Sequence, residues 1–190
     1  MIEDDEEPPP DTMREASEVA RRCCVLIAIV SLGHQQPRDA TVGWLMDEGL
    51  WDYVSPKERE FIMDSSPPQQ SIVDATWRAE ALHVLLWSIS RIGSLCPPTQ
   101  QCSLSAECDA SPYLRPTADF IASAQLRAEE EITSALDLIY HTHWEVRDAQ
   151  IRGRDVPNGY VAGAVMERHY ALNWLTGYCG QDWDDITTDT

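Results

Sequence analysis

The chain has 190 residues, a formal charge of −18, 43% hydrophobic residues and 24% charged ones. That length and balance fit one globular domain. The acidity argues against nucleic acid and anionic membrane as partners; plain solubility accounts for it most simply, and a basic protein partner would suit it. The longest apolar run, Cys23 to Val30, has eight residues, far short of the about 20 that a spanning helix needs. Arg21 and Arg22 before it imitate a signal peptide, but acids precede them and the run lies too far in. A cytosolic location is therefore expected.

Residues 1–11 join acids with three prolines and offer nothing to bury, so disorder is expected there. From 12 to 190 the pattern predicts a single helical domain. A first helix covers about 12–32 and stops at Gly33, and a second covers about 40–48 and stops at Gly49. Ser55-Pro-Lys-Glu58 places an N-cap, a proline in the first turn and the glutamate of a capping box, so a third helix runs to about Met63. The fourth, about 71–92, is apolar nearly all round and is expected at the centre of the fold. Residues 94–115, with three prolines and three cysteines, read as a long loop. Pro116 opens the longest helix, to about Arg152, with a kink or division allowed, and a last helix covers about 160–176. No stretch alternates with period two, so the expected fold is all-α, about six helices around a buried central one, with the C-terminal tail folded back onto them.

At 100° per residue, polar side chains fall on faces that should be buried. On the last helix Arg168 sits in the middle of an arc formed by Val161, Ala164, Val165, Leu172 and Leu175, with Glu167 and His169 on its flanks. On the long helix His143 lies among Ile132, Leu136, Ile139 and Val146, with Arg147 at the edge beside Tyr140 and Trp144. Glu80 is inside the fourth helix. Buried charges cost several kcal/mol unless paired, so these groups are expected to be one another's partners. The tail acids Asp182, Asp184, Asp185 and Asp189 are expected to supply further carboxylates to the arginines, whose planar fork suits them. Trp183 among them reads as an anchor.

Motifs for chemistry are sparse. His141 and His143 are two apart on a helix and diverge, and no His-Glu-x-x-His occurs, so His141, His143 and His169 do not read as metal ligands. Cys96, Cys102 and Cys108 have five residues between neighbours and form no Cys-x-x-Cys pair. Free loop thiols are the expectation, with no metal and no cofactor. Cys23 and Cys24 lie in an apolar helix and read as small hydrophobes. No nucleophile elbow and no phosphate-cradling glycine loop is present. The seven tryptophans lack the positive charge that base stacking requires, so they read as core.

Several segments in order carry a family resemblance. They are Trp44-Leu45 with Gly49-Leu-Trp51, Ser55-Pro-x-Glu58, Trp77-Arg-Ala-Glu80 with Leu86-Trp87, and Leu114-Arg-Pro116. His143-Trp-x-x-Arg-Asp148, Glu167-Arg-His169 with Ala171-Leu-x-Trp174, and Asp182-Trp-Asp-Asp with Asp189-Thr190 complete the set. Together they resemble the bacterial family catalogued as domain of unknown function 4272, over about residues 15–190 and least over the cysteine-bearing stretch 94–112. The resemblance implies a cytosolic, mainly helical single domain and no activity, cofactor or partner.

Two functions remain in play. One is a non-catalytic interaction domain, for example one that neutralises a basic protein partner as an immunity protein does. The other is a small-ligand binder or enzyme built on Glu80, Arg115, His143, Arg147, Glu167, Arg168 and His169, which requires those groups to line one open pocket.

Overall fold

The computed structural model describes residues 12–190, so the expected disorder at 1–11 lies outside the described residues. Eight α-helices and no strand occur among them. They are α1 (Ala16–Gly33), α2 (Arg38–Asp47), α3 (Pro56–Met63), α4 (Gln69–Ser88), α5 (Leu104–Ala110), α6 (Ala118–Ala122), α7 (Glu129–Ile151) and α8 (Ala162–Thr176). α1 packs on α4, α4 on α8, and α8 on α7, while α2, α3, α5 and α6 gather around α1.

The most enclosed helix is α1, not the fourth. From Val19 to Gly33 only Arg21 is not buried, because hydrophobic side chains occupy every face. α4 is buried from Ala79 onward except at His83, whereas its first turns (Gln69, Gln70, Val73, Asp74) reach solvent. The two helices meet closely at Gly33, where an added Cβ would stand 3.0 Å from Thr76 N and 3.1 Å from Ala75 Cβ. A side chain there would push α1 and α4 apart.

α3 begins as expected. Ser55 Oγ accepts from Glu58 N at 3.3 Å and Glu58 Oε2 accepts from Ser55 N at 2.9 Å, which closes the capping box. Glu58 also takes both carboxylate bonds from Arg22 of α1, at 2.8 and 2.9 Å, so one side chain caps α3 and neutralises a buried arginine.

One further expectation changes. The stretch 94–115 is not all loop, since α5 lies within it and turns Glu107 inward. The long helix after Pro116 takes the divided form that the sequence allowed, as α6 and α7, and the cause is tertiary. Arg127 N donates to Ser88 O at 2.8 Å, its Nε to Trp87 O at 2.7 Å and its Nη2 to Ile92 O at 3.0 Å. Arg127 thus caps the C-terminal end of α4, and the residues around it give up helical bonds to do so.

No helix among the described residues is long and apolar enough to cross a membrane.

Candidate functional site

The inward polar residues gather in separate places rather than in one pocket. The first centre joins α4 and α8. Arg168 Nε donates to Glu80 Oε2 at 2.9 Å, and both residues are buried. Glu80 Oε1 accepts from Cys102 N at 2.6 Å, and Arg168 Nη1 donates to Cys96 O. Burial alone would disfavour the charge on Arg168, but Glu80, together with the contacts to Cys96 and Cys102, outweighs this and holds the guanidinium above its ordinary range.

The second centre joins α7 and α8. His143 Nδ1 and His169 Nδ1 are 2.9 Å apart, so one ring donates and the other accepts. Burial, with His143 alongside, pulls His169 down to about 4, and Asp189 opposes this weakly from the surface. Burial and then the Arg147 charge lower His143 as well. Both rings are therefore neutral near pH 7.

The third centre holds the tail. Arg78 pairs with Glu167 at 3.0 Å and lies over the rings of Tyr170 (4.7 Å) and Trp183 (5.7 Å). Trp183 is buried between Tyr170 and Trp174, with ring centroids 5.0 and 5.3 Å away, and Arg22 lies 4.7 Å over its ring. The tail is folded back, as expected.

Its aspartates do different work from that expected. Arg22, Arg78 and Arg168 pair with Glu58, Glu167 and Glu80, all on helices. Asp184 instead accepts from Ser55 Oγ at 2.7 Å and from Lys57 N at 2.9 Å, at the positive N-terminal end of α3. Asp182, Asp185 and Asp189 are exposed. Arg115 and Arg147 are exposed too. Arg115 donates to Cys108 O at 3.2 Å and to Ser111 O, which closes the C-terminal end of α5. The seven groups required for one open pocket are thus split between buried ion pairs, a buried neutral histidine pair and surface positions.

Sequence reasoning missed a fourth constellation that adjoins the first. His83 of α4 sits one turn after Glu80, and its Nε2 is 3.6 Å from Cys96 Sγ. Its Nδ1 is 2.9 Å from Glu107 Oε1, a carboxylate only 2% exposed. Cys102 Sγ donates to Glu80 Oε2 at 3.3 Å, and Arg168 Nη2 lies 3.5 and 3.6 Å from the sulfurs of Cys96 and Cys102. Burial, with the Glu80 carboxylate beside it, raises the Cys102 thiol well above the usual range. Beside this group opens a cavity of about 280 Å³, lined mostly by apolar side chains such as Val84, Leu95, Ile139 and Leu172, with Cys96 and Arg168 in its wall. The spacing Glu80-x-x-His83 was the one local signal, and the partners lie across a loop and an unexpected helix.

No curated protein and no solved structure matches the chain. The family model described as Domain of unknown function (DUF4272) matches residues 1–186, which include the Glu80–Arg168 pair, the histidine pair and the Trp183 clasp. The chain belongs to the DUF4272 family.

Proposed function

We propose that this protein is a non-catalytic cytosolic interaction domain that docks a basic protein partner through the outer face of α7. One observation carries the reading. Tyr140, Trp144 and Ile151 are 42%, 52% and 78% exposed, and their spacing of four and seven residues puts them on one stripe. Aromatic residues exposed together in this way mark interaction surfaces. Glu130 and Asp137 lie along the same side of the helix and are exposed, and the chain as a whole carries −18. That charge favours encounter with a basic surface and disfavours an acidic one. The buried ion pairs support the same reading, because they are spent on holding helices and tail together.

The test is capture of a partner from native extract with wild type, Trp144→Glu and Ile151→Asp in parallel. A stoichiometric basic protein that is lost with either variant and weakens as salt rises supports the reading. Equal capture by the variants, nothing above background with wild type, or self-association of the chain through this face removes it.

The 280 Å³ cavity favours a second reading, a binder of small apolar molecules with Cys96 and Arg168 as its polar contacts. Ala135→Trp would fill that cavity. Saturation-transfer signals from small aromatic compounds that vanish in this variant would support the second reading, and signals that persist would end it.

A further inference from the structure

We propose that His83, Cys96 and Cys102 form a binding site for one zinc-class divalent ion. The three donor atoms, one imidazole nitrogen and two sulfurs, all lie within 4.8 Å of one another. Cys96 Sγ and His83 Nε2 are 3.6 Å apart. Tetrahedral zinc, with bonds of about 2.3 Å to sulfur and about 2.0 Å to nitrogen, spaces its ligand atoms about 3.5 to 3.8 Å apart. The fold therefore holds these side chains within about 1 Å of the ligating arrangement. Two thiolates and an imidazole select zinc over magnesium or calcium, which require oxygen donors.

Glu107 supplies an independent observation. Its contact with His83 Nδ1 keeps the ring proton on that nitrogen and leaves the lone pair of Nε2 directed at the sulfurs. Carboxylates that orient metal-bound imidazoles are placed in this way. Glu107 is 2% exposed and its second oxygen, Oε2, has no hydrogen-bond partner. A buried carboxylate so incompletely satisfied is costly as mere scaffolding. A cation on the far nitrogen makes the Nδ1 proton more acidic, strengthens its bond to Glu107 and brings a counter-charge close to that carboxylate.

The neighbours accommodate the ion's charge. Binding forms one bond to nitrogen and two to sulfur and releases both thiol protons to solvent, so the dication and the two thiolates sum to zero. Arg168 Nη2, already within 3.6 Å of both sulfurs, is placed to donate to the thiolates. Glu80 gives up the Cys102 thiol bond but keeps Arg168 Nε at 2.9 Å and Cys102 N at 2.6 Å. The line Cys96–His83–Glu107 also has the order of a nucleophile, its base and an orienting acid. The second sulfur at the same point, which a nucleophile does not need, favours the ion.

Cobalt titration of the purified, chelator-treated chain tests the proposal. The expected result is tetrahedral ligand-field bands and a thiolate-to-cobalt charge-transfer band that saturate at one ion per chain and vanish when zinc is added. Cys96→Ser, Cys102→Ser and His83→Gln should each abolish the saturable spectrum, and Glu107→Gln should weaken zinc binding about 10- to 100-fold. Cys108→Ser, in the same segment, should leave the spectrum unchanged. Cys96 is exposed, so its serine variant is expected to fold, and circular dichroism checks this. No thiolate–cobalt band in wild type, or an unchanged band in Cys96→Ser, overturns the site. So does rapid alkylation of Cys96 that depends on His83 and persists in excess zinc, which would assign the thiol as a nucleophile.

Discussion

Asp184 completes the helix cap that Ser55 begins. Ser55 Oγ accepts from Glu58 N inside α3 and donates to Asp184 Oδ1 at 2.7 Å, while Asp184 Oδ2 accepts from Lys57 N at 2.9 Å. The carboxylate of a segment 129 positions away in sequence thus meets the positive end of a short helix, and Lys57 Nζ returns the contact to Asp184 O at 2.7 Å. The relationship explains why the tail lies where it does, with Trp183 carried into the core beside it.

Trp183→Ala should lower unfolding free energy by about 3 to 5 kcal/mol, as large-to-small core changes do. Trp183→Phe should cost clearly less, because the indole N–H has no hydrogen-bond partner to lose. Asp184→Ala should cost about 1 kcal/mol, the usual value of a cap. Urea unfolding of the three variants ranks them, and equal midpoints for wild type and Trp183→Ala would refute the docked tail.

Glu80→Gln should cost about 3 to 5 kcal/mol, because it leaves the buried Arg168 without its counter-charge. Adding Arg168→Met should recover part of that loss, since an apolar side chain of similar reach no longer needs a partner. A double variant no more stable than Glu80→Gln would show that the pair is not the source of the cost.

Acid should weaken the fold through the histidine pair. His169 titrates at about 4 in the folded chain, below the about 6.5 of an unfolded histidine. Between these values the unfolded chain binds a proton that the folded chain does not, so stability is present above about pH 6.5 and is lost as pH falls toward 4. The His169 share amounts to about 2 kcal/mol between pH 7 and pH 5. In His169→Gln that share should disappear. Denaturant midpoints at the two pH values check this, and a slope as steep in the variant as in wild type would contradict it.

Gly33→Ala should destabilise by about 1 to 3 kcal/mol despite alanine's better helix propensity. The new methyl would press on the backbone of Thr76 and Ala75, which cannot swing away as a flexible side chain could. A variant as stable as wild type would mean that α1 and α4 separate without cost.

Much of the fold was legible in the sequence because its signals are local. The Ser55–Glu58 capping box, the glycines that end α1 and α2, and the 3.6-residue apolar spacing act within a turn or two of chain. The inward faces of Glu80, His143 and Arg168 followed from the same spacing. A break in the long helix was allowed but its place was not legible, because Arg127 leaves the helical path to bond Trp87 O in the last turn of α4 and Ile92 O just past it, 40 and 35 positions away. α5 was hidden by its seven residues and its surrounding prolines and serines.

The amino-acid sequence by itself determined the all-α class, the family, the cap that starts α3 and the need for buried charges to find partners. Only the tertiary structure decided which partners they found. Pairing depends on how helices are rotated and crossed, and no single-helix period records that. For that reason Arg168 meets Glu80 and not a tail aspartate, Arg147 faces water, and a loop 13 positions beyond His83 brings Cys96 to its Nε2.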